Sequence, residues 1–401
     1  MNQPSSFRTS GSTYIATIAI GHGLKHWYIA AFAVFLPLIV EEYEITAAGL
    51  TVIGLIRQFA GGFPNFFVGY ASDRLRNYWH LMLPASFFFA ALFMMLSGRT
   101  PWLWPIVAFA SLGGVAASFW HPPAISMLST RFPRRRGMAI AFHGSGSGAG
   151  EALGPLVVGF ILVTWLADDW RFYTLISFMP AILITGIIYW LLVGAKAPEP
   201  EVPTRSTKLI DTVGLLKYPV YTSLAYANFT RSFSHFGLLN FMPVYLAQDL
   251  GMDSFGVGFH VSLLTLLGVG LGPLLGYFSD RIGRRIPIVA AMGVIGISML
   301  VIGMTGDGIA LTLSLALAGL FLWSSQDVIN ATAMDAAPEG LQGSTVGLMF
   351  LSSLLGAAIG VVIMGFVVEI TDSLKSIFWL AGAIATPGML IFLFAPLRRN
   401  S

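Results

Sequence analysis

An all-α membrane protein, with twelve transmembrane helices in two pseudo-symmetric six-helix bundles, is the fold class this sequence predicts, on three observations. Of the 401 residues, 56% are hydrophobic and only 10% are charged, whereas a soluble domain carries roughly 25% charged residues. Apolar stretches of about 20 residues, enough to cross a ~30 Å hydrocarbon core, recur along nearly the whole chain. The landmarks of the first half also return in the second.

Turn-rich or charged breaks separate the spans, which are expected at 14–40, 47–71, 79–98, 102–128, 138–165, 172–194, 219–246, 255–278, 286–305, 309–333, 342–366 and 375–396. The first is too long for a signal-peptide core and has no small-residue cleavage site behind it, so it reads as a retained span. Lys and Arg give the orientation. With the N-terminus in the cytoplasm, sixteen of them fall in cytoplasmic segments, among them Arg74, Arg134, Lys208 and Arg284, and three (Arg99, Arg171 and Lys375) fall opposite. A multi-pass protein of a cell inner membrane with both termini cytoplasmic is therefore expected. The absence of cysteine excludes disulfides, iron–sulfur clusters and thiolate zinc sites. The basic residues are sorted by loop rather than gathered in a patch, which argues against a nucleic-acid partner. No H-E-x-x-H, G-x-S-x-G or phosphate loop is present. An enzyme is not expected, nor is a catalytic residue, a cofactor or a metal.

The Pro-rich, charged stretch from Gly194 to Tyr218 reads as a linker, giving an N-terminal bundle at 1–194, a cytoplasmic linker at 195–218 and a C-terminal bundle at 219–401. Gly69-Tyr-Ala-Ser-Asp73-Arg74 recurs as Gly276-Tyr-Phe-Ser-Asp280-Arg281, Pro37 as Pro243, and Phe132-Pro133 as Ala337-Pro338. The offsets (73 to 280, 37 to 243, 132 to 337) agree within two residues, and both G-x-x-x-D-R copies follow even-numbered spans, so the repeats are parallel. Within the motif, glycine allows close helix contact, and the aspartate can take an arginine or a helix N-terminus as partner.

Two such copies, one after span two and one after span eight, resemble the signature of the major facilitator superfamily, and the resemblance covers the whole chain. It implies two six-helix bundles around a central cavity, alternating access between two open states, and a working monomer. Gly150-Glu-Ala-Leu-Gly154-Pro155 in span five resembles a motif of the family's exporters; on the residues alone, it is equally a close-packed, kinked helix. Gly21-His22, Phe119-Trp120-His121-Pro122-Pro123 and His143-Gly-Ser-Gly resemble the fosmidomycin-resistance-protein branch, which tends to have Asn-Asp where this chain has Lys25-His26.

Ionisable groups at bilayer depth are costly unless they face a cavity or a partner. Lys25 and Arg231 each lie twelve residues before the repeated proline, so a pseudo-two-fold arrangement would turn both toward one cavity. With Arg57, they outnumber the carboxylates Glu151 and Asp327, and a surplus positive field favours an anionic solute. Substrate contacts are expected from Lys25, His26, Arg57, Trp120, His121, Arg231, His235 and Asn330. Proton coupling is expected from Glu151, Asp327 and His143, and conformational gating from Gly69, Asp73, Arg74, Gly154, Pro155, Gly276, Asp280 and Arg281. The same groups allow purely structural pairings: Glu151 with Lys25 or Arg57, Asp327 with Arg231, and His121 at a broken helix end. The leading expectation is proton-coupled efflux of a small amphipathic or anionic metabolite or drug, with protons and the bilayer as partners. Import of an organic anion and a solute sensor without transport are the alternatives.

Overall fold

The computed structural model describes residues 10–194, 209–337 and 341–394, and these are helical, with no strand among them. Among the described residues, ten helices are long and apolar enough to cross a membrane. Two of the twelve expected segments fall short, each for a visible reason. The second expected span is divided into α2 (Ala47–Gly62) and α3 (Pro64–Arg74), because Pro64 has no N–H to continue the ladder and two glycines precede the break. The seventh, α10 (Pro219–Gln248), is 30 residues long, but Asn228, Thr230, Arg231, Ser232, Ser234, His235 and Asn240 make it too polar.

The remaining helices are α1 (Gly11–Glu42), α4 (Trp79–Ser97), α5 (Leu103–Ser118), α6 (His121–Arg131), α7 (Arg136–Trp165), α8 (Trp170–Leu192), α9 (Leu209–Gly214), α11 (Ser254–Ile282), α12 (Arg285–Thr305), α13 (Gly308–Asp335), α14 (Gln342–Thr371) and α15 (Ser376–Phe394). Ser10, Asp169 and Asp253 cap α1, α8 and α11 by accepting a hydrogen bond from the backbone N–H three residues on. Gly283, at φ +90°, ends α11 in a conformation that suits a residue without Cβ. Residues 195–208 of the expected linker lie outside the described residues. Its C-terminal end is helical: Leu209–Gly214 folds into α9 and Leu215–Lys217 into a 3₁₀ turn, both of which pack on α14, with Leu215 buried.

The chain divides into two compact units, Met1–Tyr43 with Ile56–Glu201, and Glu44–Leu55 with Val202–Ser401. In the first, α7 packs along α1, and α4 packs on α5 and α8. In the second, α14 packs along α10, and α12 packs on α13 and α15. These are the same pairings at equivalent positions. Small residues allow the closest of them: a Cβ on Gly150 would collide with the carbonyl oxygen of Gly23, and one on Gly356 with that of Phe229.

Candidate functional site: a histidine cluster beside a cationic cavity

Lys25 is 1% exposed in the middle of α1. Its Nζ donates to the carbonyl oxygen of Ala117, 3.3 Å away in the last turn of α5, and lies 3.1 Å from His121 Nε2. The helix break at Phe119-Trp120 makes this possible: α5 stops there, the Ala117 carbonyl takes the Trp120 N–H at 3.2 Å and offers its second lone pair to Lys25, and α6 starts with His121 at its first position. One turn before Lys25, His22 Nδ1 donates to the carbonyl oxygen of His143 across 2.7 Å, and one residue after it, His26 Nδ1 lies 2.7 Å from Glu151 Oε1. Glu151, for which a structural pairing with Lys25 or Arg57 was the alternative reading, thus meets an imidazole, delivered by the close glycine-lined contact of α1 with α7. The rings of His22 and His143 are stacked, with centroids 3.8 Å apart and planes 1° apart, and His26 and His121 each meet His22 edge-on at 4.7 Å.

This cluster borders a cavity of about 100 Å³ lined by Lys25, His26, Arg57, Ser118 and His121 together with small residues of α5. Among the described lining residues there is no carboxylate. The Arg57 guanidinium lies 3.8 Å over the Phe32 ring, a favourable use of a cation in an apolar bundle. Of the residues expected as substrate contacts, Lys25, His26, Arg57 and His121 are brought together around this cavity. Trp120 is not: it is fully buried, parallel to the His22 ring and against Gly21, so it supports the cluster from behind.

In the second unit, Arg231 is 6% exposed and donates to the carbonyl oxygen of Leu322 at 3.1 Å and to Ser232 Oγ at 2.9 Å. His235 is buried, edge-on to Trp323. Asp327 and Asn330 are exposed on α13, where Asn330 Oδ1 accepts from Gln326 Nε2 at 3.0 Å. Asp280 pairs with Arg284 at 2.6 Å, and Arg284 also reaches Asp335 at 3.0 Å, a partner the motif does not announce. Arg281 lies over Tyr277. The expected close contact at Gly276 is corrected, because a Cβ there would meet nothing within 4 Å. In the first repeat, Gly69 and the side chain of Asp73 lie outside what is described, and Arg74 closes α3. Gly154 packs tightly on Trp27, and Pro155 sits within the continuous α7. His22 was missed as a site residue, although its spacing of four from His26 puts both on one helix face.

A model of the Major Facilitator Superfamily matches residues 18–361 and 224–401. The chain is similar to the fosmidomycin resistance protein of Escherichia coli (strain K12), at 22% identity covering 96% of this chain and 93% of that protein. It is also similar to the gentisate transporter of Corynebacterium glutamicum, at 23% identity covering 86% and 78%. Among solved structures, a bacterial homolog of the human lysosomal transporter Spinster superposes with a TM-score of 0.77 at 13% identity, covering 98% of this chain and 97% of that one.

Proposed function

Because the chain belongs to the major facilitator superfamily, and is thus a multi-pass membrane transport protein and not an enzyme, we propose that it exports a small anionic or amphipathic solute in exchange for protons. The observation that carries this reading is the cavity of the first unit, which exposes the cations of Lys25 and Arg57 to one space and opposes them with no lining carboxylate among the described residues. A carboxylate or phosphate entering it would meet an ammonium with a donor to spare and a planar guanidinium fork. In the low dielectric of a helix bundle, such contacts outweigh the same contacts in water.

Twelve membrane segments, two bundles at 1–194 and 219–401, cytoplasmic termini, an inner-membrane location and a monomeric state belong to the same reading, as does a solute contact at Arg231. Proton coupling is assigned to the Glu151–His26 pair, where a carboxylate and an imidazole can trade a proton as solvent access alternates, with His143 and Asp327 in support. The likeness to a resistance protein favours export. A second reading, import of an organic acid, is favoured by the gentisate transporter and by the hexuronate transporter of Bacillus subtilis, 25% identical over 89% of this chain. Right-side-out vesicles test both: an inward proton gradient should drive a labelled aromatic carboxylate out. Movement inward would replace export by import, and indifference to the gradient would remove proton coupling.

A further inference from the structure

We propose that the first unit contains a three-imidazole site for a borderline-soft divalent transition-metal ion of the Zn²⁺ type, formed by His22, His121 and His143. One ring nitrogen from each of the three lies within 4.8 Å of the other two. They come from three different helices, α1, α6 and α7, so the juxtaposition is a product of tertiary structure and not of one helix face. The protonation pattern supports ligation. A backbone carbonyl can only accept, so His22 Nδ1, 2.7 Å from the oxygen of His143, carries the hydrogen, and His22 Nε2 is left with a bare lone pair. That atom and His143 Nε2 are buried and have no hydrogen-bond partner among the described residues. A histidine ligand whose other nitrogen donates to a carbonyl is the arrangement that metal sites use to fix tautomer and ring direction.

At present the lone pair of His121 is turned to the Lys25 ammonium, so the side chain of Lys25 and a metal ion compete for one acceptor. Nitrogen ligands of a tetrahedral ion stand about 3.4 Å apart, so binding would draw the three rings inward and splay the parallel His22–His143 pair. Three protein ligands leave one position for water or for an oxygen of a solute in the cavity that His121 also lines. The site does not depend on the direction of transport or on the charge of the solute.

The test is a Co²⁺ titration of tag-free, chelator-stripped, full-length protein in detergent, followed by ligand-field absorbance and reversed by Zn²⁺. One ion per chain should bind with the intensity of a four-coordinate centre. Lys25→Met should tighten binding about tenfold, as loss of a neighbouring positive charge does. His22→Gln and His143→Gln should each weaken it by about 100-fold or more. His143→Cys should retain the ion and add a sulfur-to-metal charge-transfer band, a signature that only direct ligation produces. Absence of saturable binding in both the wild type and Lys25→Met would overturn the site, as would binding that is indifferent to His22→Gln and His143→Gln in monodisperse protein.

Discussion

The two units make the same hydrogen bonds with different chemistry. His22 donates to the carbonyl oxygen of residue 143, and Asn228 donates to that of Met349 at 2.6 Å; both members of the pair are shifted by the repeat offset of 206 residues (22 to 228, 143 to 349). Lys25 donates to Ala117 O and Arg231 to Leu322 O, again at offsets of 206 and 205. Around these shared anchors, the first unit places His26, Glu151 and His121, and the second places Ser232, Ala357 and Gln326 at the corresponding positions. Duplication thus conserved how the cation-bearing helix is tied to its neighbours. The titratable groups were concentrated on one side of the repeat, where the cavity also lies.

If that asymmetry is functional, the largest effect should come from Lys25. Lys25→Met should lower proteoliposome transport of an organic acid by about 100-fold, or ~2.7 kcal/mol of lost transition-state stabilisation. Its counterpart Arg231→Met should show up first as lost stability, because it removes the charged donor that ties α10 to the Leu322 carbonyl of α13 and to Ser232 Oγ, at a cost of about 1.5–3 kcal/mol. Equal transport loss with unchanged melting for both would erase the distinction. Next, Glu151→Gln should flatten the dependence of transport rate on pH, since the carboxylate that accepts from His26 is gone; a full pH response in the variant would refute its role. Replacing Gly150 by Ala should cost about 1–3 kcal/mol through overpacking against Gly23, and Gly356→Ala a similar amount against Phe229. Gly144→Ala, where a Cβ meets nothing within 4 Å, should leave the melting temperature in detergent unchanged. The smallest effect belongs to the exposed Arg284–Asp335 contact, where Asp335→Asn should change stability by less than about 1 kcal/mol.

Much of the fold was legible because the bilayer imposes length and the repeat imposes register. Pro37 and Pro243, and the two G-x-x-x-D-R copies, located equivalent helices without any structure. The site was legible only one helix at a time. Lys25, His26 and Arg57 were recognisable as costly groups at bilayer depth, but the partner of Glu151 depended on how α7 slides along α1. That register is set where Gly23, Gly146 and Gly150 let two backbones touch, a contact with no signature in the spacing of charges. The convergence of His22, His121 and His143 was hidden for the same reason, since 121 residues separate the first from the last. Trp120 was misread because a large aromatic beside a cavity helix and one behind it look alike in sequence.

The polarity of α10 bears on how the protein is made. An arginine near the centre of a nascent segment costs about 2.5–3.5 kcal/mol at the translocon, and α10 adds Asn228, His235 and Asn240 to that burden. Alone in lipid, the segment would be a poor candidate for stable insertion. The carbonyl of Leu322 and the surface of α14, which satisfy and cover it, are synthesised roughly 90 to 120 residues later. Ribosome-stalled chains should therefore hold α10 loosely, with its central residues open to aqueous alkylation after cysteine substitution, until α13 and α14 have emerged. The side chain that distinguishes the second half in the finished protein would make that half the last to commit to the membrane.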